Sequence, residues 1–152
     1  PFGVHDYIVS DGYEGTVQSI GLAYTTIITV DNKKITIPNG QISNSTVVNV
    51  TAQEKRRVDL VVGIGYSSDM KKAKELIRRV YENHPLVLAE DGITVYVNEL
   101  PDSAVMIGGR GWTKTENYWQ VRWDVLEGIK EAFDANGIEI PFNQLDVNIK
   151  NQ

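Results

Sequence analysis

The hydrophobic pattern of this chain changes period once, just beyond residue 50, and that change limits what it can fold into. Before it, short β-branched runs dominate: Tyr7-Ile8-Val9, Gly15-Thr16-Val17, Thr26-Ile27-Ile28-Thr29-Val30 and Lys34-Ile35-Thr36-Ile37. Turn chemistry separates them at Ser10-Asp11-Gly12, Asp31-Asn32-Lys33 and Pro38-Asn39-Gly40. Asp31-Asn32 suits a hairpin tip because both residue types tolerate positive φ. No helical period is visible before about residue 66. The pattern predicts a small, strongly bent β unit of about five strands, ending near Val47-Val48-Asn49-Val50.

A polar stretch, Thr51 to Lys55, marks the boundary. Beyond it the order becomes strand, helix, strand, strand, helix. Val58, Leu60, Val62 and Ile64 alternate with Arg57, Asp59 and Val61, as in a strand with one buried face. Ser68 is placed to cap a helix with Asp69 in its first turn, and Ala73, Leu76, Ile77, Val80 and Tyr81 form its apolar stripe. His84-Pro85 stops it. Ile93 to Val97 and Ala104 to Ile107 read as strands. A second helix carries Val121, Val125, Leu126, Ile129, Ala132 and Phe133 on one face, with Gly137 as its C-terminal cap in positive φ. Together these predict an α+β protein whose second part is a ferredoxin-like α/β sandwich.

Leu145, Val147 and Ile149 alternate with polar residues in a last strand with nothing after it to pair with. Such a strand is an aggregation liability unless covered. It fits either a sixth strand on the chain's own sheet or a barrel built from one strand per subunit, with those three side chains inward.

Composition excludes more than it assigns. The formal charge of -5 argues against a general nucleic-acid binder, which needs a basic face. No cysteine is present, so disulfides, thiolate metal sites and cysteine nucleophiles are out. No apolar run reaches the ~20 residues of a membrane-spanning helix. The start at Pro1-Phe2, without methionine, suggests a piece of a longer polypeptide.

No catalytic, cofactor or metal site emerges. His5 and His84 lie far apart, without carboxylates at ligand spacing. Gly63-Ile64-Gly65-Tyr66-Ser67-Ser68 lacks the third glycine of a dinucleotide loop and the lysine of a phosphate loop, so it reads as a strand end entering a helix cap. Gly108-Gly109-Arg110-Gly111 is a strand kink or bulge, with a flexible anion-binding loop as the alternative. Trp112, Tyr118, Trp119 and Trp123 are expected in the core or a subunit interface, the basic interleaving of a base-stacking platform being thin.

Read in order, these motifs resemble the cytoplasmic domain of the small-conductance mechanosensitive channel (MscS) family. Asp6-Tyr7-Ile8 resembles the entry to its β domain, and Ile37-Pro38-Asn39-Gly40-Gln41-Ile42 its P-N-G loop. Tyr66-Ser67-Ser68-Asp69, Asn98-Glu99-Leu100, Trp112 and Phe133 to Pro141 follow, so the resemblance spans essentially the whole chain. Three departures stand out. His5 replaces a usual glycine, Val50-Thr51-Ala52 a common serine-arginine, and Asn143 a usual proline.

The resemblance implies an Sm-like β domain at 1–51, a ferredoxin-like domain at 52–141 and a terminal barrel strand at 142–152. It implies a multi-pass protein of the cell membrane, with this part on the cytoplasmic side as a vestibule with lateral portals. The partners it implies are a homo-oligomer of seven copies, the protein's own membrane helices, and ions and small solutes released on hypo-osmotic shock. Pro38, Asn39 and Gly40 would face the pore-lining helix. Arg56, Arg57, Asp59 and Glu99 match positions near the portals, and Trp112 one near the junction of the two domains. No enzymatic activity and no cofactor are implied. A soluble RNA- or ligand-binding module is the rival reading, since both folds host such functions.

Overall fold

A computed structural model describes residues 1–142, which divide into two compact units, Pro1–Glu54 and Lys55 onward. The predicted strand at Leu145, Val147 and Ile149 lies outside the described residues.

The first unit is one antiparallel sheet of five strands: β1 (Tyr7–Ser10), β2 (Tyr13–Ile20), β3 (Tyr24–Ile28), β4 (Lys34–Pro38) and β5 (Val47–Asn49). Their spatial order is β4-β3-β2-β1-β5. The register of β2 against β3 shifts between Val17 and Ser19, an irregularity of the bulge kind in this unit's longest strand. Asn32 does take positive φ, at 66°, in the β3–β4 turn. One element departs from expectation: the P-N-G segment opens a helix, α1 (Asn39–Ser43), which buries Ile42. Five residues are too few to show a helical period, so nothing in the sequence pattern announced it. Ile8, Val17, Ile27, Ile37 and Ile42 make the core, flanked by Phe2, Ile35 and Val47.

The second unit runs β6 (Lys55–Ile64), α2 (Met70–Asn83), β7 (Thr94–Glu99), β8 (Val105–Lys114) and α3 (Tyr118–Ala135). Its sheet is antiparallel in the order β6-β8-β7. Alternation along β6 buries Val58, Leu60, Val62 and Ile64 in one core with Ala73, Leu76, Ile77 and Tyr81 of α2 and Val121, Val125, Ile129 and Phe133 of α3. Asp69, not Ser68, caps α2, accepting a hydrogen bond from the Lys72 amide at 3.0 Å. Gly137 follows α3 with φ of 71°.

Gly108 to Gly111 is neither a kink nor a loop. β8 runs through it in unbroken register with β6, from Val105 opposite Ile64 to Lys114 opposite Lys55. The register shift falls instead in β7, between Val97 and Glu99. The glycines make room for tyrosines. A Cβ on Gly111 would stand 2.5 Å from Cδ1 of Tyr81, and one on Gly109 2.8 Å from Cε2 of the same ring. On the opposite face, a Cβ on Gly108 would lie 2.3 Å from Cζ of Tyr96. The buried Tyr81 hydroxyl donates towards the carbonyls of Val58 and Gly109, each at 3.0 Å, and burial raises its pKa.

Candidate functional site

Among the described residues, each unit gathers polar side chains with defined geometry. The first gathering surrounds Asn39. Its Oδ1 accepts from the Thr25 hydroxyl at 2.7 Å, its Nδ2 donates to the Gly21 carbonyl at 2.7 Å, and its amide donates to the Ala23 carbonyl at 2.9 Å. The side chain thus ties the start of α1 to the β2–β3 turn. That turn carries Leu22, fully exposed at its tip, with Ile20 and Tyr24 half exposed. Pro38 precedes the helix with φ of -58°, suited to its ring. Gly40 is not required by the chain's own packing, because a Cβ there would meet nothing within 4 Å and its φ is not positive. A close backbone approach at Gly40 is therefore open only to something outside these residues.

At the entry to the same unit, Asp6 accepts from the Gly3 amide at 2.8 Å, the Thr51 hydroxyl at 3.0 Å and the Asn49 amide group at 3.1 Å. These bonds, the Gly3 amide first, hold its carboxyl below the usual carboxylate range. Asp6 joins the start of β1 to the end of β5. The neighbouring His5 has φ of 79°, the backbone conformation that favours glycine.

The second gathering lies on the face of β6 and β8 opposite the helices. Direct cross-strand partners there are Arg57 with Trp112 and Asp59 with Arg110. Arg57 grips the Asp59 carboxylate through Nε at 2.7 Å and Nη2 at 2.9 Å. Its pKa is raised, chiefly by that hydrogen bond. Arg110 approaches the same carboxylate at 3.8 Å and lies over the Tyr96 ring at 4.7 Å. Trp112 is half-buried, and its carbonyl accepts from the Leu88 amide at 2.8 Å.

The expected portal residues are therefore only partly brought together. Arg57, Asp59 and Trp112 share one face. Arg56 points the other way and stacks over Tyr118, 3.5 Å from the ring centroid. Glu99 ends β7 opposite Met106, six positions along β8 from Trp112, or about 20 Å. Arg110 and Tyr96 belong to the cluster but were not singled out from sequence. Their signal was register, since Arg110 falls opposite Asp59 once β8 extends past Ile107.

Of the aromatic group, Trp119 and Trp123 are exposed on α3 rather than in the core, with ring centroids 6.0 Å apart. Leu126, expected on the buried stripe, is also exposed. His84 is held by a 2.7 Å bond from Nε2 to Asp124, while its Nδ1 accepts from the Leu86 amide at 3.1 Å. Among the described residues no group of three or more His, Asp or Glu could hold a metal, and no helix is long and apolar enough to cross a membrane.

A five-stranded β unit followed by a three-stranded sheet with helices on one face defines a mixed α+β module of two antiparallel sheets. Residues 1–52 match the family described as "Mechanosensitive ion channel, beta-domain", and residues 58–140 match "Mechanosensitive ion channel MscS, C-terminal". The chain belongs to the MscS family of mechanosensitive ion channels, a family of channels rather than enzymes. It is 36% identical over 98% of its length to the small-conductance mechanosensitive channel of Edwardsiella ictaluri, covering 52% of that protein. It is 38% identical over 97% of its length to an uncharacterized MscS family protein of Synechocystis, covering 50% of it. The crystal structure of Helicobacter pylori MscS in its closed state superposes with a TM-score of 0.92 at 33% identity, covering 100% of this chain and 60% of that one. The chain thus spans about half the length of the curated relatives it matches.

Proposed function

We propose that this chain is the cytoplasmic vestibule of a tension-gated channel that releases ions and small solutes on hypo-osmotic shock. The observation that carries the reading is the family match, which runs in order through both units. In this reading the parent is a multi-pass protein of the cell membrane, and seven copies form a ring around the conduction path. The first unit is an Sm-like barrel, spanning 1–51. Its open edges β4 and β5 give neighbouring copies backbone to pair with. The second, 52–141, is a ferredoxin-like sandwich. Its sheet order β6-β8-β7 with both helices on one face supports this, and the remaining strand of that fold would fall beside β6. Residues 142–152, with Leu145, Val147 and Ile149 inward, supply one strand each to a barrel between subunits.

Pro38, Asn39 and Gly40 face the pore-lining helix. Asn39 holds the turn rigid against the β2–β3 hairpin while Gly40 leaves its backbone open to the partner. Arg57, Asp59, Arg56, Glu99 and Trp112 lie near the portals, where fixed charges bias which solutes enter. The mixed signs there assign no preference between anions and cations.

The test is a chimera. Replacing the matching half of the Edwardsiella ictaluri channel with this chain should give tension-activated currents in membrane patches. A chimera that reaches the membrane but passes no current at any tension, while the parent channel conducts, would overturn the reading.

A further inference from the structure

His84, at the C-terminal end of α2, has a partner on each ring nitrogen, and the two partners are of opposite kind. Its Nε2 lies 2.7 Å from an Asp124 carboxylate oxygen, and its Nδ1 lies 3.1 Å from the Leu86 amide nitrogen. A backbone amide can only donate, so Nδ1 must present its lone pair. An ionised carboxylate can only accept, so the ring proton sits on Nε2. These contacts hold His84 as one neutral tautomer, inside a site where its side chain is only 11% exposed.

The Leu86 amide belongs to a segment laid along the end of β8. Its carbonyl accepts from the Thr113 hydroxyl at 2.8 Å, Val87 bridges to Thr113, and the Leu88 amide donates to the Trp112 carbonyl at 2.8 Å. Two bonds join this segment back to the end of α2. One runs from the Val87 amide to the His84 carbonyl at 3.1 Å, and the other is the Leu86 bond to the imidazole. Only the second can be broken by a proton.

A proton on Nδ1 sets two N–H groups against each other, so the Leu86 bond must open. The charge gained is favoured by Asp124 of α3 and by the carbonyl end of α2. It is opposed by Arg79 of α2, which lines the same groove and is itself paired with Glu75. Residues 85–88 and Thr113 bring no charge. Asp124 remains a carboxylate while this happens, because the His84 bond first, then Gln120, holds its carboxyl below the ordinary range.

We infer that His84 is a proton-operated latch between α2 and the end of β8. Neutral, it holds the Leu86 amide; protonated, it keeps Asp124 as an ion pair and releases that amide. The latch stands independently of the channel reading. Where that reading holds, it puts a proton-sensitive tie beside Trp112.

The chain has two histidines, so nitrogen-15 labelling of histidine in the full 152-residue protein reports two imidazoles, and His5→Gln identifies the signals of His84. At about pH 8 the His84 ring should carry its proton on Nε2. Between there and about pH 5, the span in which histidine changes charge, the ring should become protonated. Over the same midpoint Leu86 should lose about tenfold of its hydrogen-exchange protection, corrected for intrinsic rate, while Ile77 and Tyr81 in α2 keep theirs. His84→Asn offers an acceptor in place of Nδ1 without a titrating ring, and should leave Leu86 equally protected at both ends. Asp124→Asn still accepts from Nε2 but lacks the favouring charge, and should move the midpoint to lower pH.

A ring that carries its proton on Nδ1 at about pH 8, or that stays neutral down to about pH 5, would overturn the latch. Titration of the ring with Leu86 protection unchanged would do the same. An equal loss of protection in His84→Asn would place the cause outside the imidazole and sink the assignment.

Discussion

The two units of this chain bury very different amounts of themselves. Among the described residues, the first has five buried apolar residues in its core and the second has seventeen. The first also leaves Leu22 and Val30 almost wholly exposed, with Ile20, Tyr24 and Val48 near half. Its sheet ends in two free edges, β4 and β5, among the described residues. The second closes around Tyr81 and Phe133, with two helices over one face of the sheet. A domain of ~60 residues is marginal even with a full core. The difference shows that the α/β unit closes a large core within the chain, and it supports the proposal that neighbouring copies complete the β unit.

The largest expected effects test that asymmetry directly. Phe133→Ala should destabilise the second unit by about 3–5 kcal/mol, read from denaturant midpoints, and leave it folded but weakened. Ile27→Ala, at about 2–5 kcal/mol, should unfold the first unit outright at low protein concentration while the second keeps its transition. Equal tolerance of the two substitutions would break the comparison.

A smaller effect is expected where glycine meets tyrosine. Gly111→Ala should cost about 1–3 kcal/mol because Tyr81 cannot retreat from its bonds to two strands. Gly40→Ala, with open space around it, should change the stability of the isolated chain hardly at all. Chemical denaturation of both variants gives the contrast.

His5→Gly is expected to stabilise the first unit by about 0.5–1 kcal/mol, because the left-handed φ at this position is free for glycine and strained for histidine. Thermal unfolding of that unit checks it, and a loss of stability would mean that the His5 side chain contributes more than its backbone strain costs.

The smallest effect is a matter of pH. His84 first, then Gln120, holds the Asp124 carboxyl below its ordinary value, and Gly3, Thr51 and Asn49 do the same for Asp6. A depressed carboxylate stabilises fully above its unfolded pKa, about 3.9, and that contribution is lost as pH falls through the folded value. Asp124→Asn should flatten the acid limb of the second unit only, and Asp6→Asn that of the first. Fluorescence melts between neutral and acid pH separate the two.

Much of this was readable because periodicity is a long-range signal. Ten residues of β6 and the stripe from Ala73 to Tyr81 repeat their pattern often enough to be unmistakable. The pattern does not single out the exposed side of α3: it puts Leu126 on the buried stripe and Trp119 and Trp123 in the core or a subunit interface, yet all three side chains are exposed in the chain. What stayed hidden depends on contacts distant in sequence. Three of the four residues from Gly108 to Gly111 are glycines, too few side chains to show that a strand continues, and only the packed rings of Tyr81 and Tyr96 explain it. Helix α1 is too short to show a period. The Asn39 tether joins residues 14 to 18 positions apart, beyond any local rule. The charged face was half legible, as Arg57 and Asp59 are two apart on one strand while Arg110 arrives by register alone.

Amide hydrogen exchange on the intact chain at rising protein concentration tests the asymmetry most directly. Edge amides of β4 (Lys34–Pro38) and β5 (Val47–Asn49) should gain protection as concentration rises, whereas amides of β8, paired on both sides by β6 and β7, should be strongly protected throughout. Equal protection of both sheets at every concentration would contradict the claim that the β unit is completed by its neighbours.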